Sequence, residues 1–129
     1  MKKKILIIDD DPDFLAWIEC GLQPDGYAVV TAQTAVDGLR RARQEHPDLV
    51  ILDIKLPDRD GFCVCQDLKA DPQFGRMRVM LITGVYREVE YKEQGYLMGC
   101  DDFLVKPFSY EQLRARVHRL LGRPAGTGT

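Results

Sequence analysis

Four acids, one threonine and one lysine are the side chains of this 129-residue chain whose types and spacing could do chemistry. Asp9, Asp10 and Asp11 stand in a row directly after the apolar run Ile5-Leu6-Ile7-Ile8. Asp53 closes a second run, Leu49-Val50-Ile51-Leu52, and stands alone there. Thr83 and Gly84 follow a third, Val79-Met80-Leu81-Ile82, and Lys106-Pro107 follow Asp102–Val105. Gathered at one mouth, Asp9, Asp10 and Asp53 would repel one another strongly. One lysine does not offset that, whereas a hard divalent cation does. Mg2+ suits carboxylate oxygens and keeps several waters. Such an ion with open positions suits a phosphoryl group, to which Lys106 adds positive charge and Thr83 a hydroxyl donor. A carboxylate can also be the nucleophile and form an aspartyl phosphate, and Asp53 is the acid best placed for it. Each feature has a plainer reading: an Asp after a strand is often a helix cap, as expected for Asp11, and Thr-Gly or Lys-Pro is often a turn. Their joint placement is what carries weight.

Those placements require a particular scaffold. Five short apolar runs, Lys4–Ile8, Tyr27–Thr31, Asp48–Leu52, Met77–Ile82 and Asp102–Val105, recur at an interval that fits a strand, a helix and two short loops. Runs that are apolar without alternation mean strands buried on both faces, as inside a parallel sheet. The segments between them read as helices. In 12–23, Phe14, Leu15, Ile18 and Leu22 share a face. In 34–45, Thr34 caps and Val36, Leu39 and Ala42 form the stripe. In 60–70, Asp60 caps and Phe62, Cys65 and Leu68 point one way. In 109–121, Ser109 and Gln112 have capping-box spacing ahead of Leu113, Val117, Leu120 and Leu121. Segment 85–98 is the poorest helix, interrupted by Gly95. The reading is α/β: a (βα)5 doubly wound five-stranded parallel sheet, whose ligands bind beyond the carboxyl ends of the strands.

Composition agrees with one soluble domain, expected over 1–121, with 122–129 as a disordered tail or linker. Lys plus Arg number 18 and Asp plus Glu 20, a formal net charge of −2. Nothing in that balance suggests direct nucleic-acid binding. No apolar run is long enough for a membrane span or a leader, so a cytoplasmic location is expected. The four cysteines, Cys20, Cys63, Cys65 and Cys100, lack metal spacing and are expected as reduced, mostly buried thiols. His46 and His118 are expected at the surface. Trp17 is expected to pack or to sit alone on the surface.

The combination of pieces resembles the receiver domain of two-component response regulators. The matching stretches are Ile5–Asp11, Asp48–Asp53, Leu56-Pro57-Asp58-Arg59-Asp60-Gly61, Leu81–Gly84 and Gly99–Phe108. The resemblance implies a flavodoxin-like fold of strand order 2-1-3-4-5. It implies that Asp53 accepts a phosphoryl group from a histidine kinase or a histidine phosphotransfer protein. Asp9, Asp10, Asp53 and the backbone carbonyl of Lys55 would hold Mg2+. Thr83 and Lys106 would contact the phosphoryl group, Thr83 and Phe103 would form the switch, and the Lys106–Pro107 bond would be cis. Such a domain catalyses only its own phosphorylation and dephosphorylation. It acts on an output domain or effector protein, and a phosphorylation-dependent homodimer is compatible with it. The output face would involve 85–98 and 109–121, where Tyr86, Tyr91 and Tyr96 fit an interaction surface. Lys55 stands where many relatives carry an apolar residue, and Phe103 lacks the hydroxyl of the more common Tyr. The other readings are an aspartyl phosphatase, a flavodoxin-type cofactor binder and a receiver-like interaction module that signals without phosphorylation. Lys55 argues against the first, which wants an Asp there. Three acids after the first strand argue against the second.

Overall fold

The computed structural model describes residues 2–84, 93, 96 and 99–122. Five strands, β1 (Lys4–Ile8), β2 (Ala28–Ala32), β3 (Leu49–Asp53), β4 (Arg78–Thr83) and β5 (Asp102–Val105), form one sheet. Their order is β2-β1-β3-β4-β5, and every pairing is parallel. This is the doubly wound architecture expected from the apolar runs. Among the described residues, four helices lie between or after the strands: α1 (Pro12–Leu22), α2 (Ala35–Glu45), α3 (Gly61–Ala70) and α4 (Tyr110–Leu121). A single 3-10 turn, Pro72–Phe74, precedes β4.

Alternate strand residues go to opposite faces, and both faces are covered. Ile5, Ile7, Leu49, Ile51, Met80, Ile82 and Leu104 pack with Leu15, Ile18, Leu22, Leu113 and Val117 of α1 and α4. Leu6, Ile8, Val50, Leu52, Val79, Leu81 and Phe103 pack with α2 and α3. This two-sided burial is why β1, β3 and β4 read as unbroken apolar runs. Strand β2 lies at the sheet edge and is only partly buried along most of its length.

The helix starts follow capping chemistry. Asp11 accepts from the Asp13 N–H, Thr34 from Asp37 and Asp60 from Phe62. Ser109 and Gln112 form a complete capping box. All four caps sit beyond the carboxyl ends of the strands, so the loops there are held by their own hydrogen bonds.

Three expectations need correction. The buried face of α2 is Ala35, Gly38 and Ala42, while Val36 is 66% exposed. Small residues face the sheet because α2 packs closely on Ile8, whose side chain would meet any Cβ at Gly38. Two of the four thiols, Cys20 and Cys63, are exposed rather than buried. Of the histidines, His46 is exposed but His118 is half-buried. Trp17 is 43% exposed and touches other rings. The helix expected over 85–98, positions 93 and 96 apart, lies outside the described residues, as do Tyr86, Tyr91 and the tail beyond Gly122. Tyr96 is half exposed.

Gly61 opens α3 where it presses on the end of β3. A Cβ there would collide with the Asp53 carbonyl oxygen and come within 2.6 Å of the Ile54 Cα. Both are backbone atoms and cannot swing aside. Gly61→Ala is therefore expected to destabilise the fold by roughly 1–3 kcal/mol, as overpacked sites do, despite alanine's better helix propensity. Chemical denaturation of the two proteins measures the difference.

Candidate functional site

The register of the sheet brings four strand ends together. Ile8 pairs with Leu52, Asp53 with Ile82 and Thr83 with Val105. The next residues along β1 and β5, Asp9 and Lys106, therefore reach the same rim as Asp53 and Thr83.

Asp9 is fully buried. Its Oδ1 accepts from the Asp11 N–H at 2.9 Å, and its Oδ2 lies 3.2 Å from Lys106 Nζ. Asp53 is 8% exposed. Its Oδ1 accepts from the Lys55 N–H at 3.0 Å, and its Oδ2 lies 3.6 Å from the same Nζ. Asp10 is exposed at the mouth. One carboxylate oxygen from each of Asp9, Asp10 and Asp53 lies within 4.8 Å of the others. Thr83 is buried, and its carbonyl accepts the Lys106 N–H at 2.7 Å, which ties the ends of β4 and β5 together. The Lys106–Pro107 peptide bond is cis. Lys55 faces Asp60 in an antiparallel bridge that closes the loop after β3, and its side chain is exposed. Phe103 stands apart from this cluster, buried on the α2/α3 side of the sheet. Asp11 caps α1, as its plainer reading had it.

Three carboxylates face one ammonium here. Burial pushes the Asp53 carboxyl from 3.8 up to about 6; the Lys55 N–H opposes this, Asp9 adds to it and Lys106 works against it. An ionised Asp53 is thus poorly satisfied by the protein's own groups. The converging donors are all hard oxygens, without sulfur or imidazole, and this set fits a small divalent cation such as Mg2+.

Two residues of this neighbourhood carried no functional signal in the sequence. Phe14, read only as part of an apolar helix face, has Lys106 Nζ 4.2 Å from its ring centroid. Its place in the first turn of α1, just past the acids, was the available clue. Asp58, seen only as part of a matching stretch, accepts the N–H groups of Ala35 and Val36 at 2.8 and 2.9 Å. It thereby pins the loop after β3 to the start of α2. These bonds hold its carboxyl below the usual range.

Comparison with known proteins gives concordant results. The model of the response regulator receiver domain family matches residues 5–118. The DNA-binding dual master transcriptional regulator RpaA of Synechocystis sp. is 42% identical over 120 residues, 93% of this chain and 49% of that protein. The alkaline phosphatase synthesis transcriptional regulatory protein PhoP of Bacillus subtilis is 36% identical over 123 residues, 95% of this chain and 50% of that protein. The chain thus spans about half the length of these curated relatives. Among solved structures, chemotaxis response regulator CheY4 of Vibrio cholerae superimposes with a TM-score of 0.87 at 27% identity, covering 94% of this chain and 100% of that one. Among the described residues, no helix is long and apolar enough to cross a membrane.

The unsatisfied charge at Asp53 has a measurable consequence. Its carboxyl is raised in the folded state, so ionising it costs stability once the pH exceeds the ordinary 3.8, and the full cost is present above about 6. In chelator at neutral pH, Asp53→Asn is expected to be more stable than the native chain by about 1–2 kcal/mol. The gain should fade as the pH falls from 6 to 4. Added Mg2+ should raise the melting temperature of the native chain and leave that of Asp53→Asn nearly unchanged. Thermal denaturation across pH, with and without Mg2+, checks all three.

Proposed function

This chain belongs to the response regulator receiver domain family, and we propose that it carries a phosphoryl group on Asp53, taken from a histidine kinase or a histidine phosphotransfer protein. The observation that supports this most directly is the meeting of Asp9, Asp10, Asp53 and Lys106 at one edge of the sheet. In the reaction a carboxylate oxygen of Asp53 attacks phosphorus. The P–N bond of the phosphohistidine breaks, and its electron pair returns to the imidazole nitrogen. An acyl phosphate on Asp53 results.

Each neighbour has a part in this proposal. Asp9, Asp10, Asp53 and the Lys55 carbonyl would hold Mg2+. When bound, the ion offsets the acids and withdraws charge from phosphoryl oxygens. Lys106 already lies within 3.6 Å of both buried carboxylates, so its ammonium meets the incoming oxygens after a small movement. Thr83 ends the adjacent strand and donates its hydroxyl to the same group. The Lys55 N–H holds the other oxygen of Asp53 and fixes which one attacks. The exposed Lys55 side chain stands beside the phosphorylated position, where it acts on the lifetime of the acyl phosphate.

Phosphorylation adds charge and three acceptor oxygens at this rim. Thr83 and Lys106, joined through their backbones, close on them together and bias a two-state equilibrium. Phe103, with no hydroxyl, takes part through burial of its ring alone. The relatives are about twice as long and are named as transcriptional regulators. The state of this domain would in the same way be read by an output domain or an effector protein.

Acetyl phosphate with Mg2+ supplies the test. The native chain should gain the mass of one phosphoryl group, and chelator or Asp53→Ala should abolish the gain. Equal labelling of Asp53→Ala would move the acceptor elsewhere. A folded native chain that never gains mass would favour an interaction module that signals without phosphorylation.

A further inference from the structure

Lys106 is held on three sides. Asp9 and Asp53 take two of them, at 3.2 and 3.6 Å. The third is the face of Phe14, with Nζ 4.2 Å from the ring centroid, inside the roughly 6 Å range of cation–π attraction. We propose that Phe14 is a positioning residue for Lys106, its ring face holding the ammonium where it meets Asp9 and Asp53. The inference rests on the phosphoacceptor reading and adds to it a residue that touches no reacting atom.

The ring is itself firmly placed. Phe14 meets Trp17 at 6.0 Å between centroids and Phe108 edge-on at 6.1 Å. Trp17 in turn meets Phe108 at 6.1 Å and Tyr110 at 6.5 Å. Phe108 follows Lys106 by two residues. The aromatic stack therefore joins α1 to the very loop that carries the lysine. Phe14, Trp17, Lys106, Pro107 and Phe108 line a shallow cavity of about 240 Å3 beside the lysine stem.

Physical chemistry explains why a ring is useful here. A lysine ammonium is a compact point charge on a flexible stem. The rim also offers Asp10, Asp11 and Asp13, all exposed, as competing carboxylates. A fourth acid would hold the ammonium by competing for its protons and would add to the repulsion. An aromatic face attracts the cation, adds no net charge and takes no hydrogen-bond donor from it. The three N–H groups stay available to Asp9, Asp53 and, after transfer, the phosphoryl oxygens. That is preorganisation: the charge is in place before the reaction needs it. If Phe14 only filled space, any apolar side chain of similar volume would serve as well.

The experiment follows the rate of Asp53 phosphorylation by acetyl phosphate in Mg2+, using the full chain. Phe14→Leu keeps an apolar side chain and removes the ring. A series of phenylalanines at position 14 with one, two and three ring fluorines keeps the shape and weakens the ring face stepwise. Expected are a rate about five- to tenfold lower for Phe14→Leu and a stepwise fall along the fluorinated series. The Mg2+ concentration giving half-maximal rate should not change. The Lys106 methylene proton resonances, shifted upfield by the ring in the native chain, should move downfield in Phe14→Leu. A flat rate across the fluorinated series in a reactive protein overturns the role of Phe14 and leaves the phosphoacceptor reading standing. An unreactive, folded native chain overturns that reading and this inference with it.

Discussion

Like charge held at the edge of a sheet is the constraint on which the rest of this structure turns. Asp9 is fully buried and Asp53 nearly so, and both lie against a single ammonium. Burial, with Asp9 adding to it, drives the Asp53 carboxyl toward its neutral form. A fold that minimised its energy without regard to function would not place these groups together. The cost is carried by the two-sided core beneath, where five parallel strands are covered on both faces by helices. What the site gains is an acid that the protein's own groups leave incompletely satisfied and that a small cation would complete.

The described loops at this rim are tied down by identifiable contacts. Each of the four described helices begins with a side-chain cap, and the start of α3 touches the β3 backbone with no Cβ between them. Asp58 reaches across to the first N–H groups of α2. Asp102, buried at the start of β5, is paired at 2.7 Å with Arg116 and at 2.6 Å with Arg119 of α4. Strand β5 is thereby fastened to its helix before it delivers Lys106. These contacts place the functional atoms by backbone geometry, which suits a site whose chemistry is mostly positioning.

Much of this was legible in the sequence, because parallel sheets write a strong pattern. The runs ending at Ile8, Leu52 and Ile82 are apolar at every position, and the polar residues beyond them mark the rim. Strand limits were off by a residue at β2, β3 and β4, and at β3 and β4 the strand's last member is the polar group itself, Asp53 and Thr83. The face of α2 was misjudged because hydropathy weights Val36 above Ala35 and Gly38, whereas close approach to Ile8 favours the small residues. Phe14 and Asp58 were illegible for another reason. Their roles are contacts between elements distant in the chain, to Lys106 and to Ala35, and no local spacing encodes them. The halves of the cysteine expectation separate in the same way: Cys65 faces the core of α3 and Cys63, two residues away, faces water.

The same connections suggest how a change of charge at the rim reaches the body of the domain. Thr83 and Lys106 share a backbone hydrogen bond, so the ends of β4 and β5 cannot move independently. Strand β5 has only four residues, and its side chains alternate: Leu104 enters the core on the α1/α4 side and Phe103 the core on the α2/α3 side. Lys106 is three residues beyond Phe103. A pull on the lysine therefore acts on a short strand whose two faces are packed into different cores. Close-packed cores resist gradual deformation and respond by changing between discrete arrangements. The buried ring of Phe103, which makes no hydrogen bond through its side chain, is held there by packing alone. Under the proposed phosphorylation, the cost of moving that ring would be set by the shape of the α2/α3 core, and the rim would supply the charge that works against it.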